Sequence, residues 1–227
     1  MYKLEMHLHV EGTSPCAMTD VNAIAEIYSE NGYNGIVYTS HYNSFLREYY
    51  NFKNFKEYNK NFVNGYRRLK EACAEKNIDV FFGAEFMPDE TSYYNRESRN
   101  AEFLIYGITE DVIGDFPALL KKKPGYVHEF CERNGFIVSQ AHPFRAMIDY
   151  HYPDVIDAAE VFNGNPRQQS HNDLALKYAV DNGLIMTAGS DFHEPSDCVS
   201  GVYLENAVAS EKELVAELKK RKHKIIY

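Results

Sequence analysis

YKLEMHLHVEG, residues 2–12, is the stretch that decides how the chain is read. Its apolar opening predicts a strand over Tyr2–His7. Successive strand side chains point to opposite faces, so His7 and His9, two residues apart, project the same way and can reach one point at the strand's end. The same kind of run recurs. Stretches rich in β-branched or aromatic residues predict further strands at Gly35–Ser40, Asp79–Phe86, Glu102–Gly107, Phe136–Ala141, Ala159–Phe162, Ile185–Gly189 and Gly201–Leu204. Helical patterns lie between them, one over 21–28 behind a Thr19 or Asp20 cap and before a Gly32 stop, others over 54–76, 125–134, 168–182 and 210–221. Strands alternating with helices over one domain, 1–227, imply a mostly parallel sheet. Seven or eight such units in this length close into a TIM-like α/β barrel with its site at the C-terminal strand ends. A doubly wound open sheet is the alternative, weakened as a nucleotide binder because neither GxGxxG nor GxxxxGK[ST] follows the first strand.

Composition narrows the classes. With 44% hydrophobic residues, 24 Lys+Arg against 33 Asp+Glu and a formal net charge of −9, the chain can bury a core. It lacks the surplus of cations that polynucleotide binding needs, whereas metal cations remain suitable ligands. Cys16, Cys73, Cys131 and Cys198 form no CxxC pair, which argues against a disulfide framework or zinc ribbon and for a reducing, cytoplasmic compartment. Cys73 and Cys131 sit at apolar helix positions and read as core; Cys16 stands next to the HLH strand, open to a metal or a structural role. No basic start precedes a long apolar run, and no 18 apolar residues follow one another, so neither export nor membrane spanning is expected. The basic run KKRKHK at 219–224 reads as a solvated helix end. Tyr, Phe and Asn crowd residues 42–66, a candidate lid.

The histidines carry the functional signal. His7, His9, His41, His142 and His193 fall at predicted C-terminal strand ends, and Glu85, Glu102 and Asp191 share those ends. Asp191 and His193 are again two apart. Imidazole nitrogens with carboxylate oxygens suit Zn, Mn or Fe, and a carboxylate such as Glu85 can bridge two ions. His128 in a helix pattern, His151 in a polar loop and His223 in the basic tail read as solvated side chains, while His171 stays open between the two roles.

HLH at 7–9, TSHYN around His41, GAE ending at Glu85, AHPFR at 141–145 and GSDFH at 189–193 occur in the order and approximate spacing of the polymerase and histidinol phosphatase (PHP) domains. EGTSPC, NGYNGIVYTSHYN, EFLIYGITE, EVFNGNPR and AGSDFH resemble the small histidinol-phosphatase-like members of that family. The resemblance implies a distorted (β/α)7 barrel holding two or three divalent transition-metal ions at its C-terminal face. Carried over motif by motif, His7, His9, Glu85 and Asp191 hold one ion, Glu85 bridges to a second that also takes His142, and His41 with His193 holds a third. Two places depart from the pattern. Where the family often has a histidine in the strand matching EFLIYG, Glu102 stands nearest, so the second site is richer in carboxylate and favours Mn or Fe over Zn. Where the loop after HLH often supplies an Asp or His to the third ion, this chain reads VEGTSPC, and Glu11 is the expected substitute.

Ions bridged by a carboxylate bring the pKa of a shared water toward neutrality and stabilise a phosphoryl group under in-line attack, so phosphate ester hydrolysis centred on Glu85 and Asp191 is the expected reaction. No side-chain nucleophile is required. Arg145 in HPFR and Arg167 in NGNPR follow strand ends and are expected to grip phosphate oxygens, with Tyr42 near the leaving group. A small phosphate monoester is the leading substrate class. A nuclease acting on short oligonucleotides, whose bases would stack on tyrosines, and a non-catalytic metal-binding barrel are the alternatives. The oligomeric state is left open.

Overall fold

A computed structural model of the chain describes residues 1–93, 100–197 and 199–227; Cys198 and residues 94–99 of the 88–100 loop lie outside the described residues. In chain order the elements are β1 (Tyr2–Leu8), α1 (Val21–Glu30), β2 (Gly35–Tyr38), β3 (His41–Tyr42), α2 (Ser44–Tyr49), α3 (Phe55–Ala74), β4 (Asp79–Phe86), β5 (Phe103–Tyr106), α4 (Phe116–Leu119), α5 (Pro124–Asn134), β6 (Ile137–Gln140), β7 (Ala158–Asn163), α6 (Asn172–Asp181), β8 (Ile185–Gly189), β9 (Gly201–Leu204), α7 (Glu211–Lys219) and β10 (Lys224–Ile226). Nine strands lie in the order β10-β9-β1-β2-β4-β5-β6-β7-β8, with β3 paired to β4. A parallel bridge from Leu8 to Phe192, just past β8, brings the last strand back to the first and nearly closes the barrel. The seven strands from β1 around to β8 are the expected distorted barrel; β9 and β10 extend it antiparallel from β1.

The expectation of a mostly parallel sheet meets one reversal. β5 runs antiparallel to both β4 and β6, with Phe103 beside Phe86 and Gln140. Its N-terminal end therefore lies at the C-terminal ends of its neighbours, and Glu102, whose carbonyl accepts from Ala141 N at 2.9 Å, stands at the same mouth as the residues that follow β4 and β6. At its other end, Gly107 (φ +91) lies so close to α7 that a Cβ would sit 2.4 Å from Val215. α7 thus covers the end of the barrel opposite Glu102.

Helices begin where side chains satisfy their free N–H groups. Asp20 accepts from Asn22 N at 2.9 Å, and Asn54 accepts from Glu57 N at 3.0 Å, caps that contribute about 1 kcal/mol each. Spacings of three and four then put the buried Val21, Ile24, Ala25 and Tyr28 on one face of α1, and Tyr58, Phe62, Tyr66, Leu69 and Cys73 on one face of α3. Burying each large apolar side chain contributes roughly 1.5–3 kcal/mol. Cys131 joins the same core from α5, while Leu214, Val215 and Leu218 of α7 pack with Leu4, Met6, Val37, Phe81 and Leu104 in a second cluster.

Segment 42–66 is folded into β3, α2 and the start of α3, and Tyr42, Tyr58, Phe62 and Tyr66 are core residues. It forms a wall in which these four aromatic side chains pack inward while Tyr49 stays exposed. The basic run 219–224 starts at the exposed C-terminal end of α7, as expected, and leads on to Lys224, which opens β10 against β9. Among the described residues no helix is long and apolar enough to cross a membrane.

Candidate metal centre

The strand ends and the short loops after them bring the chemistry-bearing residues to one mouth. β1 shifts register against β2 between Glu5 and Leu8, and His7 and His9 are both fully buried there. β3 pairs with β4 so that His41 stands beside Glu85. His142 and Asp191, just past β6 and β8, have φ of 26° and 50°; a non-glycine residue in this left-handed region costs about 1–2 kcal/mol, a strain found where a site over-determines the backbone. Gly189 explains the close seat of Asp191's strand on β1, since a Cβ there would lie 2.3 Å from the His7 Cβ.

Glu85 is the hub. Its Oε1 lies 3.0 Å from His142 Nε2 and 3.4 Å from His7 Nε2, and its Oε2 lies 2.7 Å from His41 Nδ1 and 3.4 Å from His9 Nε2. Asp191 Oδ1 lies 3.2 Å from His9 Nε2 and 3.4 Å from His7 Nε2. Among the described residues, three overlapping sets have ligand atoms within 4.8 Å of one another: His7, His9, Glu85 and Asp191; His41, Glu85 and Glu102; and His9, His41 and His193. His142 approaches the second set, with Nε2 3.6 Å from Glu102 Oε2.

The donor set fits cations. His7 Nε2, both ring nitrogens of His9, His41 Nδ1, His142 Nδ1 and Glu85 Oε2 are buried without a hydrogen-bond partner. Each such orphan would cost about 1–3 kcal/mol if nothing met it, and all but His9 Nδ1 and His142 Nδ1 belong to the side-chain atoms that converge on Glu85 and Asp191. The charges agree. Burial opposes ionisation throughout, yet the neighbouring His41 and His7 charges and the hydrogen bond from His142 hold Glu85 well below the usual carboxylate range. Asp191 is likewise held low by His7, Arg145 and His193 against its burial. Burial and the charges of His193 and His41 push His9 well below the ordinary imidazole value, which keeps it in the neutral form that ligates metals. Burial and the neighbouring Glu85 charge raise Glu102.

Other sequence expectations are placed differently. Glu11 is exposed and belongs to none of the three sets; the chain turns at Gly12 (φ 82) beyond it, and its carbonyl accepts from Arg68 Nη2. Cys16 comes back toward the site instead. It lines the cavity above the ligand sets with its thiol 3.1 Å from Ser14 Oγ, and although burial pushes the thiol up, the neighbouring His41 and His193 bring it down to about 5. Tyr42 is fully buried, donating its hydroxyl to Asn59 Oδ1 at 2.5 Å; strand alternation sends it away from the face that His41 occupies. His128 lies 3.4 Å from Asp157, and His151 and His223 hydrogen-bond the carbonyls of Pro143 and Met186, so all three are half-buried and partnered instead of solvated. His171 is the exposed N-cap of α6.

Above the ligand sets lies a cavity of about 480 Å³, lined among others by Cys16, His41, Leu46, Glu102, Arg145, Arg167 and His193. Arg145 Nη2 donates to Asp191 Oδ2 at 2.6 Å and to Asn163 Oδ1 at 3.0 Å, while its Nε has no partner. Arg167 is tied to Asp197 and lies 3.4 Å from Glu194. Sequence reasoning missed Glu160 on β7. It is buried, with Oε1 2.9 Å from His7 Nδ1 and Oε2 accepting from His142 N at 2.9 Å and Asn163 Nδ2 at 3.0 Å. The signal was a lone carboxylate inside the apolar run AAEVFN, since a buried charge must be partnered.

Residues 169–223, which include α6, β8, β9, α7, Asp191 and His193, match the family model described as PHP-associated. No curated protein matches the chain. Among solved structures, the chain is similar over its whole length to a two-domain protein from Bacteroides vulgatus containing a predicted PHP-like metal-dependent phosphoesterase, with 14% identity and a TM-score of 0.69; it spans 64% of that protein. PsfC from Pseudomonas syringae is similar at 16% identity and a TM-score of 0.68, covering 100% of this chain and 92% of PsfC. A protein from Bifidobacterium adolescentis, assigned as a metal-dependent phosphoesterase, is similar at 16% identity and a TM-score of 0.56, covering 97% and 96% of the two chains.

Proposed function

Starting from a PHP-like barrel that carries a PHP-associated region, we propose that this chain is a metal-dependent phosphoesterase acting on small phosphate monoesters. The observation that carries the reading is the meeting of His7, His9, Glu85 and Asp191, all buried, with ligand atoms within 4.8 Å of one another. Ions held by these residues, by His41, Glu85 and Glu102, and by the His9, His41 and His193 group would polarise water and neutralise phosphoryl oxygens. The chain's own side chains do the positioning. Glu85 belongs to two sets and turns its two oxygens toward different imidazoles, so it ties neighbouring positions together. Glu160 holds the His7 ring by Nδ1, which leaves Nε2 for the centre.

Arg145 clamps Asp191 from behind and presents its guanidinium to the cavity, where fixed positive charge favours an anionic group. Arg167 adds a second cation on the lining. A cavity of about 480 Å³ suits a small ligand, and the net charge of −9 disfavours a polynucleotide. The His41, Glu85 and Glu102 set, rich in carboxylate, suits Mn or Fe. Phosphate release from a panel of small monoesters, measured on protein stripped by a chelator and then reloaded with Mn, Fe or Zn, tests the reading. Metal-restored monoester turnover supports it. Turnover confined to short oligonucleotides would replace it with a nuclease, and bound ions without turnover on either substrate would leave a non-catalytic barrel.

A further inference from the structure

Five side chains close into a ring beside the ligand sets. Glu160 Oε1 lies 2.9 Å from His7 Nδ1, and Glu160 Oε2 accepts from Asn163 Nδ2 at 3.0 Å. Asn163 Oδ1 accepts from Arg145 Nη2 at 3.0 Å, and the same Nη2 donates to Asp191 Oδ2 at 2.6 Å. Asp191 Oδ1 lies 3.4 Å from His7 Nε2, which completes the circuit. Asn163, the only amide of the five, is the link between the arginine on the cavity and the carboxylate that holds the His7 ring.

Its chemistry admits one orientation. Arg145 Nη2 and Asn165 N, the latter at 3.2 Å, can only donate to Asn163 Oδ1, while Glu160 Oε2, which also accepts from His142 N, takes the amide Nδ2. A flipped amide would set donor against donor on one side and oxygen against oxygen on the other. The backbone is fixed as well. Asn163 ends β7, where its N donates to Asn172 Oδ1 at 3.0 Å and its carbonyl accepts from Asn172 Nδ2 at 3.2 Å, at the start of α6. The residue is buried and does not itself line the cavity. With Asp191 and Asn163 taking the hydrogens of Nη2, Arg145 must meet a ligand through its other N–H groups, and its Nε is buried without a partner.

We infer that Asn163 is a positioning residue for anion recognition: its amide fixes the Arg145 guanidinium so that the remaining N–H groups serve a phosphoryl oxygen, and ties that guanidinium through Glu160 to His7. The inference rests on the phosphoesterase reading above for the identity of the anion. Asp191 alone would leave the guanidinium free to turn about a single bond, and the second acceptor removes that freedom. A donor held in place before the anion arrives needs no reorganisation as charge develops. Because Asn163 acts through Arg145, its loss should matter only where Arg145 is present.

Equilibrium binding of inorganic phosphate to the metal-loaded full chain tests this, with the metal content of each variant measured alongside. Asn163→Ala should keep its ions and bind phosphate about 10-fold or more weakly than wild type, and kcat/KM for the best monoester should fall in step. In an Arg145→Ala background the same change should cost less than about twofold, since nothing is left to position. Asn163→Asp, which keeps an oxygen for Arg145, should bind phosphate within about threefold of wild type. Asn163→Ser takes the place of alanine in the cycle if the alanine variant does not fold. An equal cost in both backgrounds would make Asn163 a packing residue and overturn the inference, as would wild-type phosphate affinity in Asn163→Ala. A wild type that shows this phosphate binding but turns over no monoester would overturn the phosphoesterase reading and leave the positioning role standing. A metal-loaded wild type that binds no phosphate would overturn both.

Discussion

Replacing Glu160 by Gln keeps the shape of the side chain and removes its charge, and the hydrogen bonds around it leave the amide no satisfactory orientation. Oε2 accepts from two donors, His142 N and Asn163 Nδ2, while Oε1 faces His7 Nδ1. An amide nitrogen in the Oε2 place would confront both donors. Placed at Oε1 it would force His7 to carry its proton on Nε2, the nitrogen that lies 3.4 Å from both Glu85 and Asp191 and is needed for ligation. Losing a charge-assisted hydrogen bond at a buried group costs roughly 1.5–3 kcal/mol. At about 1.4 kcal/mol per tenfold, the ion held by His7, His9, Glu85 and Asp191 should bind roughly 10- to 100-fold more weakly in Glu160→Gln. Competition with a chelator of known affinity measures this directly, and circular dichroism checks that the fold persists. An affinity within twofold of wild type would refute the role given to Glu160.

Glu85→Gln should cost bound metal and reduce phosphate release by roughly 100-fold or more while the chain stays folded, because it removes charge from the carboxylate shared by two ligand sets; near wild-type metal content and turnover would contradict it. Arg145→Ala should lower kcat/KM for the best monoester by roughly 10- to 1,000-fold, with bound metal retained, since Arg145 holds Asp191 Oδ2 and not the Oδ1 that faces His7 and His9. Arg145→Lys should recover only part of that activity, and a loss smaller than twofold in Arg145→Ala would make the residue structural. Burial raises Glu5 to about 7 even though the Ser190 and Tyr28 hydroxyls and the backbone N–H groups of Met6, His7 and Ser190 bond its carboxylate. An acid raised on folding keeps its proton in the native state, so its contribution to stability is complete below the unfolded value near 4.5 and is lost as pH rises toward about 7. In chelator, the stability difference between wild type and Glu5→Gln should therefore move by roughly 3 kcal/mol in favour of Gln between these pH values; parallel denaturant curves at both ends would exclude that titration.

What could be read from residues alone followed physical regularities of the chain. Period-two spacing put His7 with His9 and Asp191 with His193, and apolar runs located the strands around the mouth. The direction of a short strand has no such signature: EFLIYG is equally apolar read either way, and only the antiparallel pairing of β5 with β4 and β6 explains why Glu102 belongs at the mouth. Nearness in sequence misled in two places. Tyr42 adjoins His41 but alternation turns it inward, and Glu11 follows His9 but the turn at Gly12 leaves it outside while Cys16, five residues on, comes back. Glu160 and Glu5 were visible as carboxylates inside apolar strands; their partners were not, because the contacts from Glu160 to His7 and from Glu5 to Ser190 join residues 153 and 185 positions apart.

The bridge from Leu8 to Phe192 sets the timetable of assembly. During synthesis the HLH strand emerges first, but Asp191 and the strand that seats it emerge only after most of the barrel has been made, so a nascent chain holds two of its imidazoles without the carboxylate they face. Loop closure over such a separation is entropically costly and slow. An ion that binds His7, His9 and Asp191 together would act as a rivet across the last seam to close, drawing the folded population toward the closed barrel in proportion to free metal. Metal supply would then limit how much of the chain reaches its native state, as well as how fast the finished protein works.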